Sequence, residues 1–190
     1  MMRIITGKAR GTKLFSLEGL NTRPTSERTK EAVFSMIQMY IQEGTVLDLF
    51  AGSGQMGLEA LSRGASDAVF VDNSKQAADI VKKNVVKTHF ENVSDVIVSG
   101  YAEFLRNSKG RKRFDLVFLD PPYASNYLTD AIEKLVEYEL LNDGAIVVCE
   151  SGSETVINEN PLISERFEVK KQAKYGIAYV SILKYRKEDI

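Results

Sequence analysis

A strand, a glycine-rich turn and a helix follow one another without a break in VLDLFAGSGQMGLEAL, residues 46–61, and this junction restricts the possible folds more than any other stretch. A buried strand that passes straight into a helix needs a crossover before its neighbour can pair, so the next strand runs parallel to it. The alternation is sustained: apolar runs predict strands at 45–50, 68–72, 95–99, 114–119 and 144–149, and helical spacing predicts a Gly-rich turn and helix at 52–63 and helices at 75–88, 102–108 and about 127–139. Strands of this kind, apolar on both faces, need helices above and below. Phe167–Lys171 and Ile177–Tyr185, separated by Lys174-Tyr175-Gly176, instead predict an antiparallel pair at the end of the chain. The expected class is α/β: a Rossmann-like, mostly parallel seven-stranded sheet with C-terminal antiparallel strands. A chain of 190 residues, 44% hydrophobic, can fill one such core.

The N-terminal residues obey a different pattern. Residues 2–7 and 12–17 predict a short hairpin around Gly7-Lys8-Ala9-Arg10-Gly11, and Ala32, Val33, Met36, Ile37 and Tyr40 recur at helical spacing after a cap at Thr25 or Ser26, with Pro24 near the start. A basic extension at 1–43 and a main domain at 44–190 are expected. Charge is uneven: residues 1–30 carry +5 and the remainder −6. Such an edge suits an anionic partner, though a solvated charged face has the same composition. Cys149 is the only cysteine and His89 the only histidine, which excludes a disulfide framework and a clustered Cys/His metal site. Cys149 reads as strand filler and His89 as a surface residue. No leader-like start or bilayer-spanning apolar run is evident, so a soluble, cytoplasmic protein is expected.

Gly52, Gly54 and Gly57 match the spacing of a dinucleotide-binding turn, and Asp72 follows Gly52 by 20 residues at the end of the next strand. A carboxylate there can accept hydrogen bonds from ribose hydroxyls. NAD fits this spacing, and so does S-adenosylmethionine. Asp48 favours the second, because a carboxylate beside the turn suits a sulfonium and an ammonium group and repels a pyrophosphate.

FDLVFLDPPYAS, residues 114–125, ends a buried strand on Asp120, Pro121, Pro122 and Tyr123. Neither proline can donate to a ladder, so the strand stops there and the corner lies at its carboxyl end. An exocyclic amine on a nucleobase is a poor nucleophile because its lone pair is delocalised into the ring. Acceptors on its two N–H groups, the Asp120 carboxylate and the Pro121 carbonyl, would turn that lone pair toward a methyl donor while Tyr123 stacks on the base.

Asp/Asn-Pro-Pro-Tyr/Phe beside such a glycine turn resembles the amino-methyltransferases acting on adenine N6, cytosine N4, guanine N2 or a protein glutamine amide. MRIITGKARGTKL, TRPTSERTKEAVFSMI and VLDLFAGSGQMGLEALSRGA together resemble the RsmD family of bacterial 16S ribosomal RNA guanine-N2 methyltransferases, and the likeness runs through nearly the whole chain. The resemblance implies an S-adenosylmethionine-dependent methyltransferase fold and a monomer methylating one guanine, guanine 966, of 16S ribosomal RNA in the 30S subunit. It implies cofactor binding by Asp48, Phe50, Gly52, Gly54, Gly57, Asp72, Asn73, Ala102 and Glu103, an amine clamp at Asp120, Pro121, Pro122 and Tyr123, and RNA contacts from Arg3, Lys8, Arg10, Lys13, Arg23 and Arg28. Two positions depart from the family pattern: Tyr101 stands near where many relatives place an Asp toward adenine, leaving that contact to a backbone carbonyl or Glu103, and Gln55-Met56 replaces small or apolar residues. An NAD oxidoreductase explains neither Asp48 nor Asp-Pro-Pro-Tyr. A DNA adenine methyltransferase usually needs a further target-reading region, and a protein amide methyltransferase favours Asn in place of Asp120 and has no use for a basic front end. Lys109, Arg111, Lys112 and Arg113 precede a strand and read as a solvated loop at the end opposite the crevice.

Overall fold

The computed structural model describes residues 2–16, 27–122 and 126–187, and in it the apolar runs line up into one sheet. Strands β1 (Thr45–Asp48), β2 (Asp67–Asp72), β3 (Ser94–Val98), β4 (Phe114–Leu119), β5 (Leu141–Ser151), β6 (Phe167–Tyr175) and β7 (Ala178–Tyr185) pair in the order β3-β2-β1-β4-β5-β7-β6. The first five are parallel and β7 is antiparallel to both its neighbours. Strand order reverses between β1 and β4, which leaves a crevice outside their carboxyl ends where adjacent connections diverge.

Helices α1 (Glu27–Ile37), α2 (Gln55–Ser62) and α3 (Lys75–Thr88) cover one face, with Phe34, Leu58 and Val81 in the same apolar cluster as Val46, Phe70 and Phe118. Helices α4 (Tyr101–Ser108) and α5 (Tyr127–Glu137) cover the other, where Leu105, Ile132 and Leu135 meet Leu47, Val117 and Val147. Cys149 lies fully buried in this second layer, where burial pushes its thiol pKa up, and His89 is exposed in the left-handed conformation that closes α3. Among the described residues no helix is long and apolar enough to cross a membrane.

Three expectations need correction. The strand expected at 144–149 begins at Leu141: Asn142-Asp143-Gly144, which has turn composition, is taken up as a bulge where the β4–β5 register jumps from Phe114↔Leu141 to Leu116↔Ile146 and Gly144 has φ +76°. The N-terminal hairpin forms, but only as one antiparallel bridge, Arg3↔Lys13, flanked by backbone bonds such as Ile4 N–H to Thr12 O (3.0 Å). Two short helices, α6 (Thr155–Asn158) and α7 (Pro161–Arg166), occupy a stretch with no predicted element. The proposed caps Thr25 and Ser26 lie outside the described residues.

The hairpin joins the main core through Ile4, Ala9 and Leu14. Its buried polar anchor is Glu59 of α2, whose carboxylate accepts the N–H groups of Ile5 (2.8 Å) and Thr6 (3.0 Å) and faces Lys30 Nζ (3.2 Å) and Arg63 Nε (2.9 Å). Lys30 is 1% exposed and pairs with the fully buried Glu59, so one of the cations in the +5 segment is internal and unavailable to an outside anion. Burial lowers its pKa, against the pull of Glu59.

Candidate active site

Four acidic residues mark the carboxyl edge of the sheet, at or just past the ends of adjacent strands: Asp72 on β2, Asp48 on β1, Asp120 after β4 and Glu150 on β5. They come together because these four parallel strands all end at that edge and the hydrophobic pattern stops with them. Leu119 pairs with Cys149, so Asp120 and Glu150 stand next to each other one residue further on.

Asp48 lies beneath the glycine turn, 4% exposed, and its Oδ2 accepts the Gly57 N–H at 3.0 Å. It serves the first turn of α2, whose N-cap Gly54 has no side chain to do so. Burial pushes its pKa up to about 7, the Gly57 bond opposes the shift and nearby Asp72 adds to it. Gly57 packs so closely that a Cβ there would stand 2.4 Å from the Phe70 ring. Gly54 closes the turn with its N–H on Ala51 O at 2.6 Å. Gly52 differs from both: its φ is +54° and an added Cβ would meet nothing within 4 Å, so its bare backbone borders open space.

Asp72 is half-buried, with Oδ2 accepting the Gly52 N–H and Oδ1 the Ser74 N–H, both at 2.9 Å. Each oxygen keeps a free lone pair, so the carboxylate is held rigid by two backbone donors and can still accept two hydroxyls. Asn73 beside it is exposed. Opposite, Phe50 lies 5.4 Å from the Tyr101 ring, which lies 5.0 Å from Tyr127, forming a row of three aromatics. The Tyr101 hydroxyl donates to Asp130 of α5 (2.7 Å), and burial followed by this bond raises its pKa to about 12. Tyr101 therefore supplies a ring wall, its polar tip already engaged. Ala102 is half-buried behind it and Glu103 is exposed. Half-exposed Tyr127 had no sequence signal, since its partner is 26 residues away on another helix.

Asp120 is open to the crevice on one side and walled by protein on the others. That crowding, then Glu150 and Asp48, raise its pKa to about 7. Pro121 is buried and Pro122 exposed; Tyr123 lies outside the described residues. Rigid prolines at a strand end, an acceptor with a poised pKa, a half-saturated carboxylate and an open glycine turn fit a nucleoside-bearing cofactor meeting a proton-bearing amine.

The basic residues are less uniform. Lys8, Arg10 and Lys13 are exposed on the hairpin, Arg28 on α1, and Arg3 is exposed but paired with Glu27 at 3.2 Å; Arg23 lies outside the described residues. Ser62, at the far end of α2, accepts Lys8 N–H and Ala9 N–H, so Lys8 and Arg10 sit at the hairpin tip away from the glycine turn. Met2 is at the near end, its Sδ 3.0 Å from Ser53 Oγ. Lys112 pairs with Asp67 at the start of β2 and Arg113 with Glu139, which places that loop at the amino edge, opposite the crevice.

If Asp72 holds the ribose of a cofactor, Asp72→Ala should weaken S-adenosylmethionine binding by about 1.5–3 kcal/mol, the cost of losing charge-assisted hydrogen bonds. Calorimetry showing unchanged affinity would remove Asp72 from the binding site.

The sequence model described as conserved hypothetical protein 95 matches residues 2–184. The Haemophilus influenzae protein named ribosomal RNA small subunit methyltransferase D is 37% identical over 179 residues, 93% of this chain and 90% of its own length. The Escherichia coli protein of the same name is 33% identical, covering 94% and 87%. Among solved structures, an Escherichia coli protein described as a methyltransferase superposes with a TM-score of 0.86 at 30% identity, covering 98% of this chain and 99% of its own. A Haemophilus influenzae protein described as a methylase gives 0.80 at 33%, with coverage of 98% and 99%. These neighbours have the same doubly wound architecture, that of the Rossmann-like methyltransferases.

Proposed function

The chain belongs to the RsmD family, and from that membership we propose that it is an S-adenosylmethionine-dependent methyltransferase that modifies the exocyclic N2 amine of a guanine in 16S ribosomal RNA, the family target guanine 966. The observation that carries this reading is the position of Asp120-Pro121 directly across the sheet's reversal point from the glycine turn and Asp72. When bound, S-adenosylmethionine supplies an electrophilic methyl group on a sulfonium. Asp72 and the open backbone at Gly52 are the residues that would hold its nucleoside and methionine portions, with Phe50 and Tyr101 as an aromatic wall.

The chain's own part in the chemistry is positional and electrostatic. The Asp120 carboxylate accepts one N–H of the amine and the Pro121 carbonyl accepts the other; the fixed φ of Pro121 and Pro122 holds both acceptors in place. Two acceptors on one amine orient its lone pair outward, away from the ring plane. As the nitrogen gains a carbon its protons become acidic, and Asp120, with a pKa close to neutrality, is matched to take one. Tyr123 is proposed to stack on the base. The basic extension is proposed to face RNA phosphates through Lys8, Arg10, Lys13, Arg23 and Arg28, with the monomer acting on the 30S subunit in the cytoplasm.

Incubation with labelled S-adenosylmethionine and unmodified 30S particles, bare 16S RNA, transfer RNA, duplex DNA or a release factor, followed by nucleoside mass spectrometry, tests the assignment. N2-methylguanine, strongest from 30S particles, is expected. N6-methyladenine or labelled protein would defeat it, whereas equal rates on bare RNA would discard only the dependence on the particle.

A further inference from the structure

A groove on the outer face of α3 is unaccounted for by the site described so far. One wall is the helical stripe Gln76, Ile80, Lys83 and Lys87, and the other is Phe15 with Ser16 at the end of the hairpin. The stripe spans about 16 Å along the helix axis. It starts in the first turn of α3, so the Gln76 end of the groove lies a few residues beyond Asp72 and Ser74 along the chain.

Phe15 is held there by its backbone. Asn84, fully buried, accepts the Phe15 N–H (2.7 Å), donates to Phe15 O (3.0 Å) and donates to Ser53 O in the glycine turn (2.8 Å). One carboxamide thus saturates three backbone groups and ties the groove to the cofactor turn. The Phe15 ring nevertheless remains 47% exposed and Val86 56% exposed, an unfavourable placement for large apolar groups in a free monomer. Lys87 Nζ lies 4.3 Å from the Phe15 ring centroid. Lys75, Lys82 and Lys83 are exposed and have no ion-pair partner among the described residues, and Asp79 is the only acidic residue of α3.

An exposed aromatic in a groove lined by Lys82, Lys83 and Lys87, none of them in an ion pair among the described residues, matches single-stranded nucleic acid, which presents a stacking face and a phosphate chain together. It matches a protein partner poorly, because lysine is depleted at the centre of such interfaces. We infer that the groove between Phe15 and the Gln76–Lys87 stripe of α3 binds a strand of the RNA substrate, with phosphates on Lys82, Lys83 and Lys87 and one unstacked base on Phe15. The inference rests on the RNA methyltransferase reading and adds to it a second RNA-binding surface, nearer the crevice than Lys8 and Arg10 at the hairpin tip.

Binding of 16S RNA is measured by fluorescence anisotropy across a salt series for wild type, Phe15→Ala, the triple variant Lys82→Ala/Lys83→Ala/Lys87→Ala, and a charge-matched control, Lys170→Ala/Lys171→Ala/Lys174→Ala on β6. The α3 triple variant should bind about tenfold or more weakly and flatten the salt slope by about 2, at about 0.7 for each phosphate no longer neutralised. Phe15→Ala should bind about tenfold more weakly, ultraviolet irradiation of the wild-type complex should cross-link RNA to the peptide containing Phe15, and S-adenosylmethionine affinity should be unchanged throughout. Equal losses in the β6 control overturn the inference, since net charge alone would then be responsible. So does unchanged RNA affinity accompanied by lost binding to phosphatidylserine vesicles, which assigns the groove to membranes. Wild-type protein that methylates RNA while both α3-groove variants keep full affinity overturns the groove and leaves the enzymatic reading standing; wild-type protein that binds no RNA overturns both.

Discussion

Asp120→Ala is expected to lower the single-turnover rate of methyl transfer by about 10²-fold or more while leaving S-adenosylmethionine affinity nearly intact, because on the proposed reading the acceptor it removes acts on the amine, whereas the proposed cofactor residues Asp72 and Gly52 lie on β2 and in the glycine turn. Equal losses in rate and affinity would show instead that Asp120 holds the cofactor or the fold. The pH profile gives an independent check. On the proposed reading the carboxylate form is the one that accepts the amine N–H, and crowding together with Glu150 and Asp48 raises its pKa to about 7, so the wild-type rate should fall as pH drops below neutrality. Glu150→Gln removes one of the neighbouring charges and should move that fall to lower pH.

Stability should run the opposite way. Asp120 and Asp48 both have folded-state pKa values of about 7, above the ordinary carboxylate range. Between those two limits the folded state binds more protons than the unfolded state, so their contribution is fully present below the unfolded pKa and is lost as pH rises through 7. Asp120→Asn should therefore abolish most transfer yet unfold at a higher temperature than wild type at pH 8. An unchanged or lower unfolding temperature at pH 8 would mean that the crevice does not crowd the carboxylate as described.

The largest effect on stability is expected at Glu59. Its replacement by Ala strips the carboxylate from Ile5 N–H, Thr6 N–H and Arg63, and leaves Lys30, 1% exposed, as a buried cation whose one remaining hydrogen-bond partner among the described residues is the Arg3 carbonyl (2.6 Å). Breaking one side of a buried pair costs about 3–5 kcal/mol, measured by urea unfolding at pH 7. The paired change Glu59→Leu with Lys30→Met should recover most of that loss, since the stranded charge is gone. The hairpin should also undock in Glu59→Ala, freeing the backbone at Lys8 and Arg10 for cleavage by trypsin. A loss below about 1 kcal/mol would show that the cluster is solvated and contributes as little as a surface pair does.

Much of the architecture could be read before any tertiary contact was known. The parallel order, the glycine turn between Leu49 and Leu58, and the stop at Asp120-Pro121-Pro122 depend on residues within a dozen positions of one another, where period, proline and glycine act directly on the backbone. Where local composition and tertiary pairing conflicted, as at Asn142-Asp143-Gly144, the sheet absorbed the turn signal as a bulge because β4 offered hydrogen bonds on the far side. The four-residue α6 and six-residue α7 are too short for a helical period to stand out.

Residue order alone was enough to specify a doubly wound sheet, with a glycine turn and an Asp-Pro-Pro corner at neighbouring strand ends. How those parts are occupied was settled by packing in three dimensions: Lys30 is an internal ion pair and not an RNA contact, Tyr101 spends its hydroxyl on Asp130, Asp48 anchors α2 from below, and Asn84 fixes Phe15 beside a row of lysines. Each of these joins residues 9 to 69 positions apart. Such pairs leave no periodic trace along the chain, because charge, hydrogen bonding and burial act through space and become defined only when the helices pack against the sheet.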